Sequence, residues 1–257
     1  MCTTCGCGSG EITIEGTPAQ GDRAHVHAHG DHHQDESPAH GRIVSLEQEV
    51  LAKNQLFAER NRGWLEGRGV LAVNMMSSSG AGKTTIIERT IREWGGGVPI
   101  SVLEGDQATS ADADRVRAAG AAAVQINTGA GCHLDAHMVA HGLERLRPPR
   151  DSVLLIENVG NLVCPALFDL GERARVVVTS VTEGDDKPLK YPHMFGAADL
   201  LLLNKIDLLP FVRFDIDRLT QSAREVNPRL KILPVSAQTA EGIVDWYRWL
   251  SAQRVCD

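Results

Sequence analysis

Short apolar runs alternate with amphipathic stretches along most of this chain. Runs rich in Val, Leu and Ile predict strands at 70–76, 98–105, 122–126, 152–158, 174–181, 199–205 and 231–236. Apolar residues at three- to four-residue spacing predict helices from Ser45 to about Gly67 and at 83–94, 111–119, 133–146, 215–226 and 240–252. Apolar strands that alternate with helices indicate an α/β fold, a mostly parallel sheet with helices on both faces.

Residues 1–41 have a different texture. They contain six acidic residues against a single arginine, and they hold Cys2, Cys5 and Cys7 together with six of the ten histidines. Apolar residues are too scattered to offset the entropy of ordering the chain, so we expect disorder without a ligand. We therefore predict a disordered, Cys/His-rich metal-binding tail at 1–41 and one folded domain at 42–257.

Composition narrows the class of protein. The 257 residues fit one large or two small domains, and the formal net charge of −7 disfavours a nucleic-acid surface or an anionic membrane as partner. We find no apolar run of about 20 residues and no secretory plan at the N-terminus. We expect a cytoplasmic protein with reduced thiols, in which clustered cysteines favour metal or redox chemistry over disulfides.

The strand VLAVNMM runs into SSSGAGKTT, which matches the second half of the phosphate-binding pattern G-x-x-x-x-G-K-[ST] but has Ser77 in place of the first glycine. Lys83 would reach the β/γ-phosphates and Thr84 would ligate Mg²⁺, whereas the alternative is a Gly/Ser-rich turn with a chance lysine. The predicted phosphate-loop contacts are Ser79, Gly80, Ala81, Gly82, Lys83, Thr84 and Thr85.

The segment NKID predicts the nucleotide base. The Asp207 carboxylate would accept two hydrogen bonds from guanine N1 and N2, a donor pair that adenine lacks. Asn204 and Lys205 belong to the same motif, with Lys205 packed along the base. Ser236 and Ala237 offer a backbone edge to the guanine carbonyl. GTP is therefore favoured over ATP.

Two segments between these motifs carry candidate metal ligands. Cys132 and His133 are adjacent in NTGAGCHLDA, and Cys164 follows a strand in IENVGNLVCPA. Two thiolates and an imidazole suit Zn²⁺ or Ni²⁺, and the three ligands would be completed by an open position, by water or across a two-fold axis. The alternative is one buried apolar cysteine on each segment.

Three further positions are candidates for hydrolysis. Gly160 would offer its N–H to the γ-phosphate. Glu157 lies where nucleotide-hydrolysing proteins place an acidic Mg²⁺ partner or water-orienting group. Asp106 is a second acidic candidate, with a helix N-cap for 108–118 as its alternative reading. We predict Lys83, Asp106 and Glu157 as the catalytic set.

These motifs together resemble the HypB family of SIMIBI-class P-loop GTPases. The matching stretches cover residues 2–8 and about 70–210: MCTTCGCG, MSSSGAGKTT, LEGDQAT, NTGAGCHLDA, IENVGNLVCPA, SVTEGDDKPLKYP and LLLNKIDLLP. The family also has serine at the position of Ser77, although it usually has proline at that of Ser79. The resemblance implies a GTPase whose nucleotide state controls dimerisation and nickel delivery to [NiFe] hydrogenase.

The resemblance also implies ligands and partners. Cys132, His133 and Cys164 match the family's GTPase-domain metal site, and Cys2, Cys5 and Cys7 match the N-terminal nickel site of some members. The fourth N-terminal ligand is open between the Cys2 amine and a histidine. Lys187 would contact nucleotide across a GTP-dependent homodimer, or else be a solvated charge. Implied partners are a HypA-type nickel protein, the hydrogenase large subunit and a SlyD-type chaperone.

Three alternatives stay open at this point. The first is a UreG-type GTPase that serves urease. The second is a nickel storage or buffer protein in which residues 1–41 carry the function. The third is a translation-type regulatory GTPase, which predicts no bound metal.

Overall fold

The computed structural model describes residues 13–14, 17–18, 39–107, 110–129 and 131–254. The predictions for Cys2, Cys5 and Cys7 therefore lie outside the described residues, as do those for most of the histidine-rich tract. Of the tail predicted at 1–41, the described part comprises two strands of two residues and the start of the first helix.

The secondary structure follows the predicted alternation. The helices are α1 Ala39–Glu66, α2 Lys83–Glu93, α3 Ala111–Ala119, α4 Ala136–Leu146, α5 Lys187–Lys190, α6 Pro192–Gly196, α7 Ile216–Val226 and α8 Ile243–Gln253. The strands are β1 Thr13–Ile14, β2 Thr17–Pro18, β3 Leu71–Ser77, β4 Ile100–Asp106, β5 Ala122–Asn127, β6 Val153–Glu157, β7 Ala174–Ser180, β8 Leu200–Asn204 and β9 Lys231–Pro234. The predicted strands and helices of the folded domain are confirmed. Helix α1 begins before the predicted cap at Ser45, and the short α5 and α6 were not predicted.

The strands form one sheet in the order β2-β1-β5-β4-β6-β3-β7-β8-β9. The strands from β5 to β9 in this order pair in parallel, whereas β1 pairs antiparallel to both β2 and β5. The predicted α/β fold with a parallel sheet is confirmed. Strand β3 is central, between β6 and β7, so the loop that follows it emerges in the middle of the sheet.

Both faces of the sheet are buried because alternate residues of each strand serve different cores. On β3, Val73 packs in a cluster with Ile86 of α2 and Trp246 of α8. Its neighbour Ala72 packs on the opposite face with Leu65 of α1. Successive side chains of a strand point to opposite faces, so burial of both faces requires apolar residues at nearly every position. This explains why the strands appear in the sequence as unbroken apolar runs.

The carboxyl ends of the parallel strands meet at one edge of the sheet, where ligands bind in open α/β folds. The motifs follow β3, β4, β6 and β8 at this edge. Within the described part of the chain, none of the helices has the length and apolar content needed to span a membrane.

Candidate nucleotide and metal sites

The loop between β3 and α2 depends on two glycines in the left-handed region. Gly80 has φ 77° and Gly82 has φ 99°, a region that side chains bearing a Cβ rarely adopt. A Cβ on Gly82 would also lie 2.4 Å from Nδ2 of Asn204. The loop lines a cavity of about 390 Å³ that also includes Asp106 and Gly160. Its shape is that of a phosphate-binding turn leading into a helix N-terminus.

Ser77 has a specific contact at the position where the common pattern has glycine. Lys83 is buried, and its Nζ donates a hydrogen bond to Ser77 Oγ at 2.8 Å. The same Nζ lies 4.0 Å from Glu157 Oε1. Thr84 Oγ1 donates to Glu157 Oε1 at 2.7 Å. The predicted phosphate lysine, magnesium threonine and acidic residue are therefore in direct contact.

Two acidic residues that sequence reasoning missed join Glu157. Ligand oxygens of Glu104, Asp112 and Glu157 all lie within 4.8 Å of one another. Burial and the neighbouring Glu157 raise the pKa of Glu104 to about 11. Burial also raises the pKa of Glu157, while Lys83 acts in the opposite direction. The raised pKa values mean that the cluster disfavours its full negative charge in the absence of a cation, and its oxygen donors fit Mg²⁺.

A sequence signal for Glu104 was present. VLEG and LLIEN each end an apolar run in a glutamate, and β4 pairs with β6 so that Glu104 lies opposite Glu157. The sequence did not predict the order of the strands in the sheet. Without that order, the two glutamates could not be recognised as neighbours.

Asp106 lies at the end of β4 and lines the cavity, and its Oδ1 accepts a hydrogen bond from the following N–H of Gln107 at 2.7 Å. Helix α3 begins at Ala111 with Ser110 at the N-cap position. The alternative reading of Asp106 as an N-cap is therefore wrong.

Gly160 approaches the phosphate loop closely. Ser79 Oγ donates to the carbonyl of Gly160 at 3.3 Å, and a Cβ on Gly160 would lie 2.5 Å from that hydroxyl. A side chain at this position would force the Ser79 hydroxyl to rotate and would crowd the Ser79 backbone, whose Cα and N would lie 3.1 Å from the added Cβ. Contact between the Gly160 N–H and a γ-phosphate stays a prediction.

The base motif joins three loops. Asn204 Nδ2 donates to the carbonyl of Ala81 at 2.9 Å, and its Oδ1 accepts from the Ala237 N–H at 3.0 Å. Lys205, which has φ 63°, donates from Nζ to the carbonyl of Gly80 at 2.8 Å. These bonds bring the NKID segment, the phosphate loop and the segment around Ala237 together, as a guanine site requires.

The side chain expected to recognise guanine already has a partner. Asp207 Oδ1 accepts from Ser236 Oγ at 2.6 Å. The Ser236 N–H donates to the carbonyl of Glu241 at 2.8 Å, and the Ala237 N–H is engaged by Asn204. The use of these two amides by the guanine carbonyl stays a prediction.

Lys187 contacts its own phosphate loop. Its Nζ pairs with Glu183 and donates to Ser78 Oγ at 3.2 Å, while Ser78 Oγ donates to Glu183 at 2.6 Å. It is therefore not a simple solvated charge. Contact with nucleotide across a dimer is untested and would require Lys187 to leave Glu183.

The three predicted metal ligands of the folded domain converge. Cys132 Sγ lies 2.9 Å from Cys164 Sγ and 3.7 Å from His133 Nδ1. All three residues are partly buried, and their ligand atoms lie within 4.8 Å of one another. His133 stacks on Phe168 with ring centroids 4.0 Å apart. Burial lowers the pKa of His133, which favours the neutral imidazole that binds metal.

Asn158 connects this cysteine–histidine cluster to the phosphate site. It follows Glu157 directly, and its Oδ1 accepts from the N–H of Leu134 at 3.1 Å and of Val159 at 3.0 Å. Leu134 follows His133 and packs so closely on β4 that a Cβ on Gly105 would lie 2.7 Å from it. One buried side chain therefore holds the backbone beside His133 against the strand that carries Glu157.

A second group of imidazoles escaped the sequence analysis. His137 and His141, one turn apart on α4, have Nε2 atoms separated by 3.1 Å. Burial and the neighbouring His141 lower the pKa of His137. The i, i+4 spacing in AHMVAH was the available signal.

Comparisons with known proteins point to one family. Residues 71–234 match the family described as CobW/HypB/UreG, nucleotide-binding domain. The hydrogenase maturation factor HypB of Escherichia coli strain K12 is 46% identical over 99% of both chains.

Two solved structures are also similar. HypB of Archaeoglobus fulgidus covers 79% of this chain and 100% of its own, with 46% identity and a TM-score of 0.74. HypB of Helicobacter pylori in complex with nickel covers 79% of this chain and 95% of its own, with 35% identity and a TM-score of 0.75.

Proposed function

This chain belongs to the HypB family of the CobW/HypB/UreG nucleotide-binding proteins, and from that premise we propose that it is a GTP-hydrolysing nickel metallochaperone for [NiFe] hydrogenase maturation. Its cargo would be Ni²⁺, with Zn²⁺ as the competing ion. The observation that carries the proposal is the Asn158 connection, because it joins a nucleotide pocket to a thiolate–imidazole cluster.

The chain's own residues account for nucleotide binding. The phosphate loop and the N-terminus of α2 hold the phosphates, with Lys83 beside them, and Asp207 selects guanine. Thr84 and the carboxylate cluster would hold Mg²⁺, which neutralises charge on the β- and γ-phosphates when it is bound. Asp106 and Glu157, at the ends of adjacent strands, both line the cavity, and Asp106 would orient the attacking water while Glu157 would either share this role or hold Mg²⁺.

The cysteine–histidine cluster accounts for cargo binding. Cys132, His133 and Cys164 supply three ligands and leave a position for transfer, which a second copy of the chain or a partner protein would fill. Nucleotide state would reach this cluster through Asn158 and control both dimerisation and release. Lys187 would break its ion pair with Glu183 and contact the nucleotide bound to the second copy.

The remaining predictions belong to the same proposal. Residues 1–41 would form a separate metal-binding segment with Cys2, Cys5 and Cys7 as nickel ligands. Nickel would pass between this chain, a HypA-type protein and the hydrogenase large subunit, and a SlyD-type chaperone is a further source.

The test is a Ni²⁺ titration of the protein bound to GDP and to a non-hydrolysable GTP analogue. We expect different affinities at the site that Cys164→Ala removes. Linkage then requires Ni²⁺ to change nucleotide affinity by the same factor. Equal nickel affinity in both nucleotide states would refute the coupling, whereas absence of guanine-nucleotide binding would refute the nucleotide site itself.

A further inference from the structure

We propose that the nucleotide pocket binds a hard divalent cation of the Mg²⁺ class before any nucleotide arrives, with Glu104 as one of its ligands. The inference rests on the proposed nucleotide site and deepens it. It concerns the order in which the cation and the nucleotide bind, and it gives a role to a residue that the sequence motifs did not single out.

The register of the strands brings Glu104 and Glu157 together. Strands β4 and β6 are neighbours in the sheet, and their parallel pairing sets Glu104 opposite Glu157 at the edge where β3 passes into the phosphate loop. Residues paired in this way project to the same face. Two carboxylates are thus fixed side by side by backbone hydrogen bonds, without help from a bound nucleotide.

The carboxyl groups of the two glutamates are buried with few hydrogen-bond partners. Glu104 and Glu157 are each 2% exposed, and among the described residues Oε2 of each has no donor other than the proton that the two carboxyl groups can share. A buried carboxylate oxygen that lacks a donor destabilises the fold, and a bound cation can replace the shared proton. Both residues line the nucleotide cavity, so a cation entering the cavity would satisfy them.

The number of carboxyl groups and the short distances between their oxygens also favour a bound cation. Three carboxylates converge, whereas Lys83 is 4.0 Å from Glu157 and Asp112 has its own partner in Arg115 at 2.9 Å. The ligand oxygens lie within 4.8 Å of one another, and two oxygens on opposite sides of Mg²⁺ are about 4.2 Å apart. A small closure therefore suffices to place them around one ion.

The set of oxygen donors in this pocket differs from that of other P-loop proteins. These hold Mg²⁺ with the loop hydroxyl and one acidic residue, and the phosphates supply other ligands. Here Glu104 and Asp112 add oxygen donors to Thr84 and Glu157, so the protein alone offers most of a coordination shell. An all-oxygen set selects Mg²⁺ or Mn²⁺ rather than the nickel or zinc bound by thiolates.

The experiment is a Mn²⁺ titration of the full chain, freed of nucleotide and metal and followed by electron paramagnetic resonance. Only Mn²⁺ that excess Mg²⁺ displaces is counted, which separates this site from cysteines and histidines elsewhere. We expect one displaceable Mn²⁺ per chain in the wild type. Glu104→Gln should weaken it roughly tenfold or more, whereas the exposed control Glu241→Gln should bind as the wild type does.

Binding of GDP in EDTA serves as the second readout, because it reports folding and the nucleotide site without the cation. We expect Glu104→Gln to keep the circular dichroism spectrum of the wild type, so that a loss of Mn²⁺ binding reports the missing ligand and not a loss of fold. Wild-type protein that binds GDP but has no displaceable Mn²⁺ without it would overturn the inference and leave the proposed function intact. Unchanged Mn²⁺ affinity in Glu104→Gln would overturn the role of Glu104.

Discussion

The carboxylate cluster and the cysteine–histidine cluster each bring three potential metal ligands together, yet they are built differently. Glu104 and Glu157 are almost fully buried and stand on paired strands, whereas Cys132, His133 and Cys164 are partly exposed and lie outside the strands of the sheet. The third carboxylate, Asp112, is partly exposed on α3. The two ligands on paired strands hold a fixed geometry, and ligands between elements can change theirs. We therefore expect the carboxylate cluster to retain its cation and the cysteine–histidine cluster to release its metal.

Asn158 lies between the two clusters and is the link through which we propose that they are coupled. Asn158 is 1% exposed and follows Glu157 directly; its Oδ1 accepts a hydrogen bond from the N–H of Leu134, next to His133, and its Nδ2 donates one to Asn74 Oδ1 on β3. A shift of β6 on nucleotide binding would move the backbone next to His133. We expect the two clusters to bind different metal ions and to be coupled through the side chain of Asn158.

The largest expected effect separates the clusters by ligand chemistry. Cys132→Ser should reduce Ni²⁺ affinity at the inner site by about 100-fold or more, because one of three strong ligands is lost. Magnesium-dependent GDP binding should stay within about twofold of the wild type. Isothermal titration of both ligands measures this, and a matching fall in GDP affinity would mean that the clusters are not separate in ligand choice.

The next effect concerns the base and should leave both clusters unchanged. Asp207→Asn should weaken GTP binding by about 10- to 100-fold, because the replacement amide presents a donor to guanine where the carboxylate accepts. Preference should move towards xanthine nucleotides, while Ni²⁺ and Mn²⁺ affinities of the nucleotide-free protein stay the same. Competition between GTP and XTP measures the shift, and an unchanged preference for GTP would exclude the predicted role of Asp207.

A third change is aimed at the connection itself. Asn158→Ala removes acceptors from two backbone N–H groups and should lower the free energy of unfolding by about 1–3 kcal/mol. It should also make Ni²⁺ affinity nearly independent of nucleotide state. The variant Asn227→Ala is a matched control, because it removes an asparagine that bonds backbone carbonyls away from both clusters.

For these two variants, chemical denaturation measures stability, and Ni²⁺ titrations with GDP and GTP analogue measure coupling. Coupling that survives in Asn158→Ala, or is lost equally in Asn227→Ala, would refute the role of Asn158.

The two clusters also differ in how far the sequence predicted them. Cys132, His133 and Cys164 stand out by residue type in glycine-containing segments, so their convergence was predictable before the order of strands was known. Glu104 looked like part of an apolar run, and its pairing with Glu157 depends on β4 and β6 being neighbours. The parallel sheet itself was predictable from its apolar strands, whereas α5 and α6 were too short to show a period.

The smallest expected effect is the pH dependence of stability that Glu104 contributes to the carboxylate cluster. The pKa of Glu104 is about 11 in the folded chain, above its ordinary value of 4.5, so the native state binds more protons than the unfolded state between these values. The contribution of Glu104 to stability is therefore greatest below about pH 4.5 and falls as pH rises towards 11. In EDTA and without nucleotide, Glu104→Gln should raise the free energy of unfolding at pH 8 by about 1–2 kcal/mol and flatten its decline with pH.

Urea denaturation at pH 5, 7 and 9 measures this, with Glu241→Gln as the control. A variant no more stable than the wild type at pH 8 would mean that the Glu104 carboxylate is already satisfied in the metal-free protein. That result would contradict the proposed difference between the two clusters, in which the carboxylate cluster requires a cation and the cysteine–histidine cluster can change its geometry. Added Mg²⁺ should cancel the advantage of the variant, because only the wild type gains a full ligand set from the ion.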